Sequence, residues 1–216
     1  MTLRVSRTRR AVIMTVPMQC DLGEARSFLV RHIDWVRERI GSLPDRVPFE
    51  DGAYVPLRGD MHRMRSAAAD AGGVVTRHAG GIDDVPELHV RGRNEHFARR
   101  LTDWMAEEAQ RDLDLRVGVH CRRLGLKMKR IAVRDQASRW GSCSTTGVLS
   151  FSWRLVMAPP MILDYVAAHE VAHLEEMNHG PRFWALVRKT MPAMDEAKQW
   201  LVRYGMDLHR YGPARR

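Results

Sequence analysis

Two histidines four residues apart, with a glutamate directly after the first, give this chain its clearest chemical potential: His169-Glu170-Val171-Ala172-His173. On a helix, positions i and i+4 share a face, so both imidazoles can reach one metal ion while the glutamate stands beside it. A third histidine, His179, follows His173 by six residues. Three neutral imidazoles suit Zn2+ and leave a fourth position for water, whose pKa the ion lowers to ~7. Glu170 would then activate the zinc-bound water by taking its proton and passing it to a leaving group. The implied chemistry is metal-dependent hydrolysis, first of all of a peptide bond. Another divalent metal could serve the same arrangement.

The third ligand has rivals. In the spacing H-E-x-x-H-x-x-G-x-x-H a glycine makes the turn, but position 176 here is Glu, so the turn falls to Asn178–Gly180. Glu176 and Glu196 are the competing ligands; His179 is preferred for its ligand type and for the break that frees it. A donor to the developing oxyanion is also needed, and Arg139, Tyr165 and Tyr204 are the candidates. Tyr165 lies one turn before His169, where a packed core tyrosine is the competing reading. Asp164 and Glu175 read as solvated or supporting groups. Cys143 is not needed as a nucleophile, and the adjacent pair His120-Cys121 diverges on a helix and so makes a poor metal site.

The elements that must position these residues are legible around them. Pro160 can open the helix in its first turn, and Ile162, Val166, His169 and His173 then form one stripe. Gly180-Pro181 breaks it and starts a helix with Phe183, Trp184 and Val187; a last helix carries Met194, Ala197, Trp200, Leu201 and Tyr204. Upstream, Asn94 is an N-cap for a long helix reaching Leu124, with a candidate break at Gly118 and Gly125 as C-cap; it would be the scaffold behind the site. Ile131 and Val133, then Leu149, Phe151, Trp153 and Leu155, alternate as a β-hairpin around the loop Gln136–Gly147. Such a sheet beside the helix could receive an extended peptide.

The N-terminal part reads as a hairpin over residues 3–16 with Arg4, Arg7, Arg9 and Arg10 projecting, followed by a helix Ala25–Ile40 capped by Asp21 and Glu24 and ended at Gly41. Short strands are expected at Ala53–Leu57 and Leu88–Val90, with loose glycine pairs at 72–73 and 80–81 between them. His62, His78 and His89 lack ligand spacing and are expected at the surface. The division predicted is a small β-rich N-terminal domain with one helix, residues 1–92, and a metal-dependent hydrolase domain, residues 93–216.

Composition narrows the class. A 44% hydrophobic and 28% charged chain is that of a folded protein rather than a disordered one. The net charge of +9 favours anionic partners: acidic peptide, nucleotide or nucleic acid. Three scattered cysteines exclude a disulfide framework and fit a reducing compartment. No apolar run approaches the ~20 residues of a membrane helix. A cytoplasmic protein with no membrane partner is the expectation, its oligomeric state open.

Arg139–Ser144 (RWGSCS), Phe151–Leu155 (FSWRL), Ala158-Pro159, Asp164-Tyr165-Val166, His169–Leu174, Asn178-His179 and Phe183-Trp184 together closely resemble the YgjP-like metallopeptidase family, a zincin group. The run His179–Phe183 (HGPRF) is also similar to the third-ligand segment of SprT-like proteases. The resemblance reaches the N-terminal part weakly, through Arg9–Val16, Ala25–Ile40 and Gly52–Gly59. It implies an α+β fold with a minimal zincin-like core of helices and a small antiparallel sheet, His169, His173 and His179 on zinc, and Glu170 as catalytic base. Val171 stands where the family usually has Leu, and Ser152 where Asn is common. Two alternatives accompany this reading: a metal-dependent hydrolase of phosphate esters or nucleotides, and a nucleic-acid-associated protease that binds through its basic N-terminal part.

Overall fold

The computed structural model describes residues 1–6, 8, 10–68, 74–80, 85–136 and 138–213. Of the features anticipated above, Arg7, Arg9, Gly72, Gly73 and Gly81 lie outside the described residues. The expected hairpin is present: β1 (Thr2–Ser6) pairs antiparallel with β2 (Ala11–Thr15), Arg4 opposite Ile13. Asp21 caps helix α1 (Leu22–Arg31), its carboxylate accepting from the Glu24 backbone N–H at 2.9 Å. The helix expected to continue to Ile40 breaks at His32, whose ring bonds to the Phe28 carbonyl at 2.9 Å, and resumes as α2 (Ile33–Gly41).

Residues 1–46 form one compact unit, and a second begins at Val47. This division differs from the expected one at 92/93, and the reason is shared burial. Val55, Leu57, Met64, Leu88 and Val90 belong to the same apolar core as Phe151, Met157 and Ile162. They come from a four-stranded sheet, β3 (Tyr54–Leu57), β4 (Asp60–Ala67), β5 (Val75–His78) and β6 (Glu87–Arg91), in the order β3-β4-β6-β5, with β4 and β6 parallel. Alternation along β4 turns His62 inward with Met64, so the surface expectation for His62 is wrong: it is fully buried. Its Nε2 accepts from Arg77 at 2.9 Å and its Nδ1 bonds to the Asp60 carbonyl at 2.9 Å. Accepting from a guanidinium requires a neutral ring, and burial pushes its pKa down accordingly. His78 is exposed and stacks on the half-exposed His89 at 4.2 Å.

Asn94 does not cap the long helix. It opens a 3₁₀ turn, Asn94–His96, and accepts from the Ser66 hydroxyl at 2.6 Å; α3 (Phe97–Leu124) follows. α3 runs through Gly118 without a break and ends where Gly125 adopts φ 71°, the left-handed conformation that glycine accepts without strain. Leu101, Met105, Leu113 and Val117 make its fully buried stripe.

The next strands correct the simple hairpin. β7 (Arg130–Arg134) lies parallel to β9 (Val148–Ser152), and the antiparallel partner of β9 is a short strand within the expected loop, β8 (Gly141–Cys143), giving the order β7-β9-β8. Trp153–Met157 is a buried 3₁₀ turn rather than more strand. Arg154 is buried there, its guanidinium bonded to Asp135 at 3.1 Å and to the carbonyls of Leu208 and Tyr211 at 3.3 and 2.5 Å. Pro160 stands in the first turn of α4 (Pro160–Ala172), Pro181 in that of α5 (Pro181–Thr190), and α6 (Met194–Tyr204) follows. The chain is thus α+β. Among the described residues no helix is long and apolar enough to cross a membrane.

Candidate metal centre

α4 is buried along most of its length and delivers His169 and Glu170 in its last turn, with His173 as its C-cap. The chain then winds tightly, Leu174 and Glu176 N–H groups reaching the Val171 and Ala172 carbonyls at 3.0 Å each. Gly180, in extended backbone, then caps α5. This turn brings His179 back over α4. Its Nε2 lies 3.1 Å from Nε2 of His169, and its ring centroid lies 4.7 Å from that of His173. One ligand atom from each of the three histidines lies within 4.8 Å of the others. Phe183, fully buried on α5, is the common support: its ring lies 4.8, 4.5 and 4.6 Å from those of His169, His173 and His179.

The donor set fits a divalent metal. Two nitrogens at ~2.0–2.1 Å from a shared tetrahedral Zn2+ stand about 3.4 Å apart, close to the spacing of His169 and His179. His173 donates from Nδ1 to the Glu176 carbonyl at 3.1 Å, which fixes the tautomer and leaves Nε2 as the lone pair. Nδ1 of His169 is buried without a hydrogen-bond partner among the described residues. Burial first, then the charges of His173, His179 and Lys198, push His169 down to about 3, and burial lowers His173 as well. Both rings are therefore neutral at neutral pH, the form that ligates metal. Of the rival ligands, Glu176 contributes its backbone carbonyl and Glu196 is exposed on α6; neither joins the group of converging ligand atoms among the described residues.

Glu170 is 5% exposed, and burial pushes its carboxyl up to about 8 against a smaller downward pull from Arg139. A nearby divalent cation would bring it down again. Gly141 on β8 explains how the backbone comes so close to it. A Cβ there would lie 2.6 Å from both Cγ and Oε1 of Glu170, so only glycine fits. Arg139 is exposed and near enough to act on Glu170 electrostatically. Tyr165 is buried edge-on to His169 at 6.0 Å; burial, then Asp195 and Glu170, push its hydroxyl up to about 12, so it keeps its proton. Tyr204 stacks on Trp200 at 5.5 Å. The Cys143 thiol is raised by burial and by Glu170, which suits no nucleophile.

Arg116, Thr190 and Lys198 are supporting residues that the sequence alone does not single out, and Asp164 takes the supporting one of its two expected roles. Asp164 is not simply solvated: it takes a forked pair of bonds from Arg116 at 2.5 and 2.6 Å and a third from His120 at 2.7 Å, while His120 reaches Thr190 at 2.7 Å. These contacts tie α3, α4 and α5 together. Lys198 on α6 lies over the Trp184 ring at 4.7 Å, and Trp184 lies 5.8 Å from His179.

The family described as YgjP-like, metallopeptidase domain, matches residues 1–204. None of the curated proteins matches the chain. A similar solved structure is the metallopeptidase zymogen abylysin of Pyrococcus abyssi, 21% identical, covering 47% of this chain and 99% of that one with a TM-score of 0.40; nothing about the site rests on so distant a likeness. With a family match over nearly its whole length, the chain belongs to the YgjP-like metallopeptidase family.

Proposed function

We propose that this metallopeptidase is zinc-dependent, with His169, His173 and His179 as ligands and Glu170 as the group that handles the proton. When bound, the ion supplies a Lewis acid that acidifies water and polarises the scissile carbonyl. Glu170 takes the proton of the attacking water on its carboxylate and hands it to the leaving amine. Its burial keeps competing water away from that proton. Among the described residues β8 is the edge strand in the order β7-β9-β8, and an extended peptide lying along it would pass Glu170 at Gly141. Arg139, exposed beside Glu170, donates to the carbonyl oxygen as charge develops there. Tyr165 holds the His169 ring by its edge.

The observation that carries this reading is the convergence of three imidazole ligand atoms within 4.8 Å, next to a buried glutamate. The all-imidazole donor set, with no second converging group among the described residues, weighs against phosphate-ester chemistry, which favours paired metals and carboxylates. The nucleic-acid reading finds no support in the family match. Glu170→Gln should keep its metal and lose about 10²–10⁴-fold in peptide turnover. Full activity in that variant would overturn the mechanism.

A further inference from the structure

A cavity of about 450 Å³ opens on the His173 side of the triad. Its walls come from three segments: Lys127 and Lys129 ahead of β7, the turn bearing Ser144 and Thr146 between β8 and β9, and His173, Leu174 and Met177 at and after the end of α4. We propose that this cavity is a specificity subsite for an acidic side chain of the peptide substrate. The proposal rests on the peptidase reading and names the substrate class that the site selects.

Position is the first argument. His173 belongs both to the triad and to the cavity wall, so a side chain in the cavity belongs to a residue close to the scissile bond. β8 links the two places as well: it starts at Gly141 against Glu170, and Ser144 at the cavity directly follows its end. At ~3.4 Å per residue of strand that is about 10 Å, a reach of up to three residues of extended peptide.

Charge is the second. Lys127 and Lys129 are exposed, and neither ammonium has an ion-pair partner among the described residues. No aspartate or glutamate is among the lining residues. The cationic character continues around the centre, where Arg139 acts on Glu170 and Lys198 on His169. An acidic side chain entering here meets two ammonium groups without displacing a carboxylate already present, whereas a basic one is repelled.

Shape is the third. The walls are pinned from behind: the Lys129 N–H donates to the Gly147 carbonyl at 2.8 Å, and the Ser144 hydroxyl accepts from the Val148 N–H at 3.1 Å while bonding Thr146 at 2.9 Å. Met177, 44% exposed, offers an apolar surface to the methylenes of a glutamate stem. Because solvent-exposed ion pairs are individually weak, the selectivity expected is about tenfold, and salt should reduce it.

The test uses the metal-loaded protein and peptide pairs that differ only in Glu against Gln at one position within three residues of the cut. The acidic member should win by about tenfold in kcat/KM at low salt. Lys127→Ala/Lys129→Ala should bring the ratio to about one, and Lys189→Ala on α5 should leave it as in the wild type. Equal use of both peptides by the wild type, or a preference that survives the double substitution, would overturn the proposal. If no peptide is cleaved, the peptidase reading fails separately. The cavity is then judged by fluorescence anisotropy of the same peptides: an acidic preference lost in the double variant supports it, and indifference to charge, or tighter binding of a nucleoside triphosphate, overturns it.

Discussion

α4 carries two histidine–carboxylate clusters with opposite fates. Near its start, Asp164 joins His120 and Arg116 in a group where both nitrogens of the fully buried His120 have partners, each at 2.7 Å. Near its end, His169 and His179 face each other at 3.1 Å while Glu170 is buried beside them. The residue types are nearly the same. What separates a structural histidine from a ligand is whether its lone pair is already spoken for: one cluster is closed, and the other is the one proposed to hold a cation.

That contrast can be broken at either end. Asp164→Ala would leave His120 and Arg116 without their acceptor. The expected loss is about 3 kcal/mol by denaturant unfolding, moderated because the Arg116 side chain is 33% exposed. A change under 0.5 kcal/mol would mean that the group does not hold α3 to α4.

The two clusters should also answer pH with opposite signs. Burial pushes Asp164 up, but the bonds from His120 and Arg116 outweigh it and hold its carboxyl below the usual range. Its contribution to stability is present above the unfolded carboxylate pKa and is lost as pH falls through the lower folded value. Glu170 is raised from 4.5 to about 8, so in metal-free protein the folded state keeps a proton that the unfolded chain has released. Stability should therefore fall as pH rises through that window, on the order of 5 kcal/mol, and Glu170→Gln should flatten the decline. Thermal melts of the metal-free protein between pH 5 and 9 measure this; a flat wild-type profile would contradict it.

A smaller effect is expected from Gly141→Ala. The added methyl meets Glu170 at 2.6 Å, so either β8 or the carboxylate must move. The cost should be about 1–2 kcal/mol in stability, with turnover falling more than stability does. Wild-type turnover in this variant would show that Glu170 needs no fixed position.

Local signals made much of this legible in the sequence. The HExxH spacing on α4, the proline starts of α4 and α5, the Asp21 cap and the Gly125 stop each depend on a few neighbouring residues and hold in the structure. The convergence of His179 was readable because Gly180-Pro181 forces a break just after it. Pairing was not readable: alternation in residues 148–152 says which side chains share a face, not that β7 runs parallel to β9 or that three residues form β8. His62 was misjudged for the same reason, since its partner Arg77 arrives from another strand. Nor does composition show that Val55, Leu57, Met64, Leu88 and Val90 share a core with Phe151 and Ile162; only the tertiary packing does.

Metal analysis of purified protein tests most directly which histidines hold the ion. The wild type should carry one zinc per chain, and His169→Ala, His173→Ala and His179→Ala should each lose it. His120→Gln, in the closed cluster, should retain it while folded. A full equivalent of zinc in His179→Ala, or its loss from folded His120→Gln, would contradict the assignment.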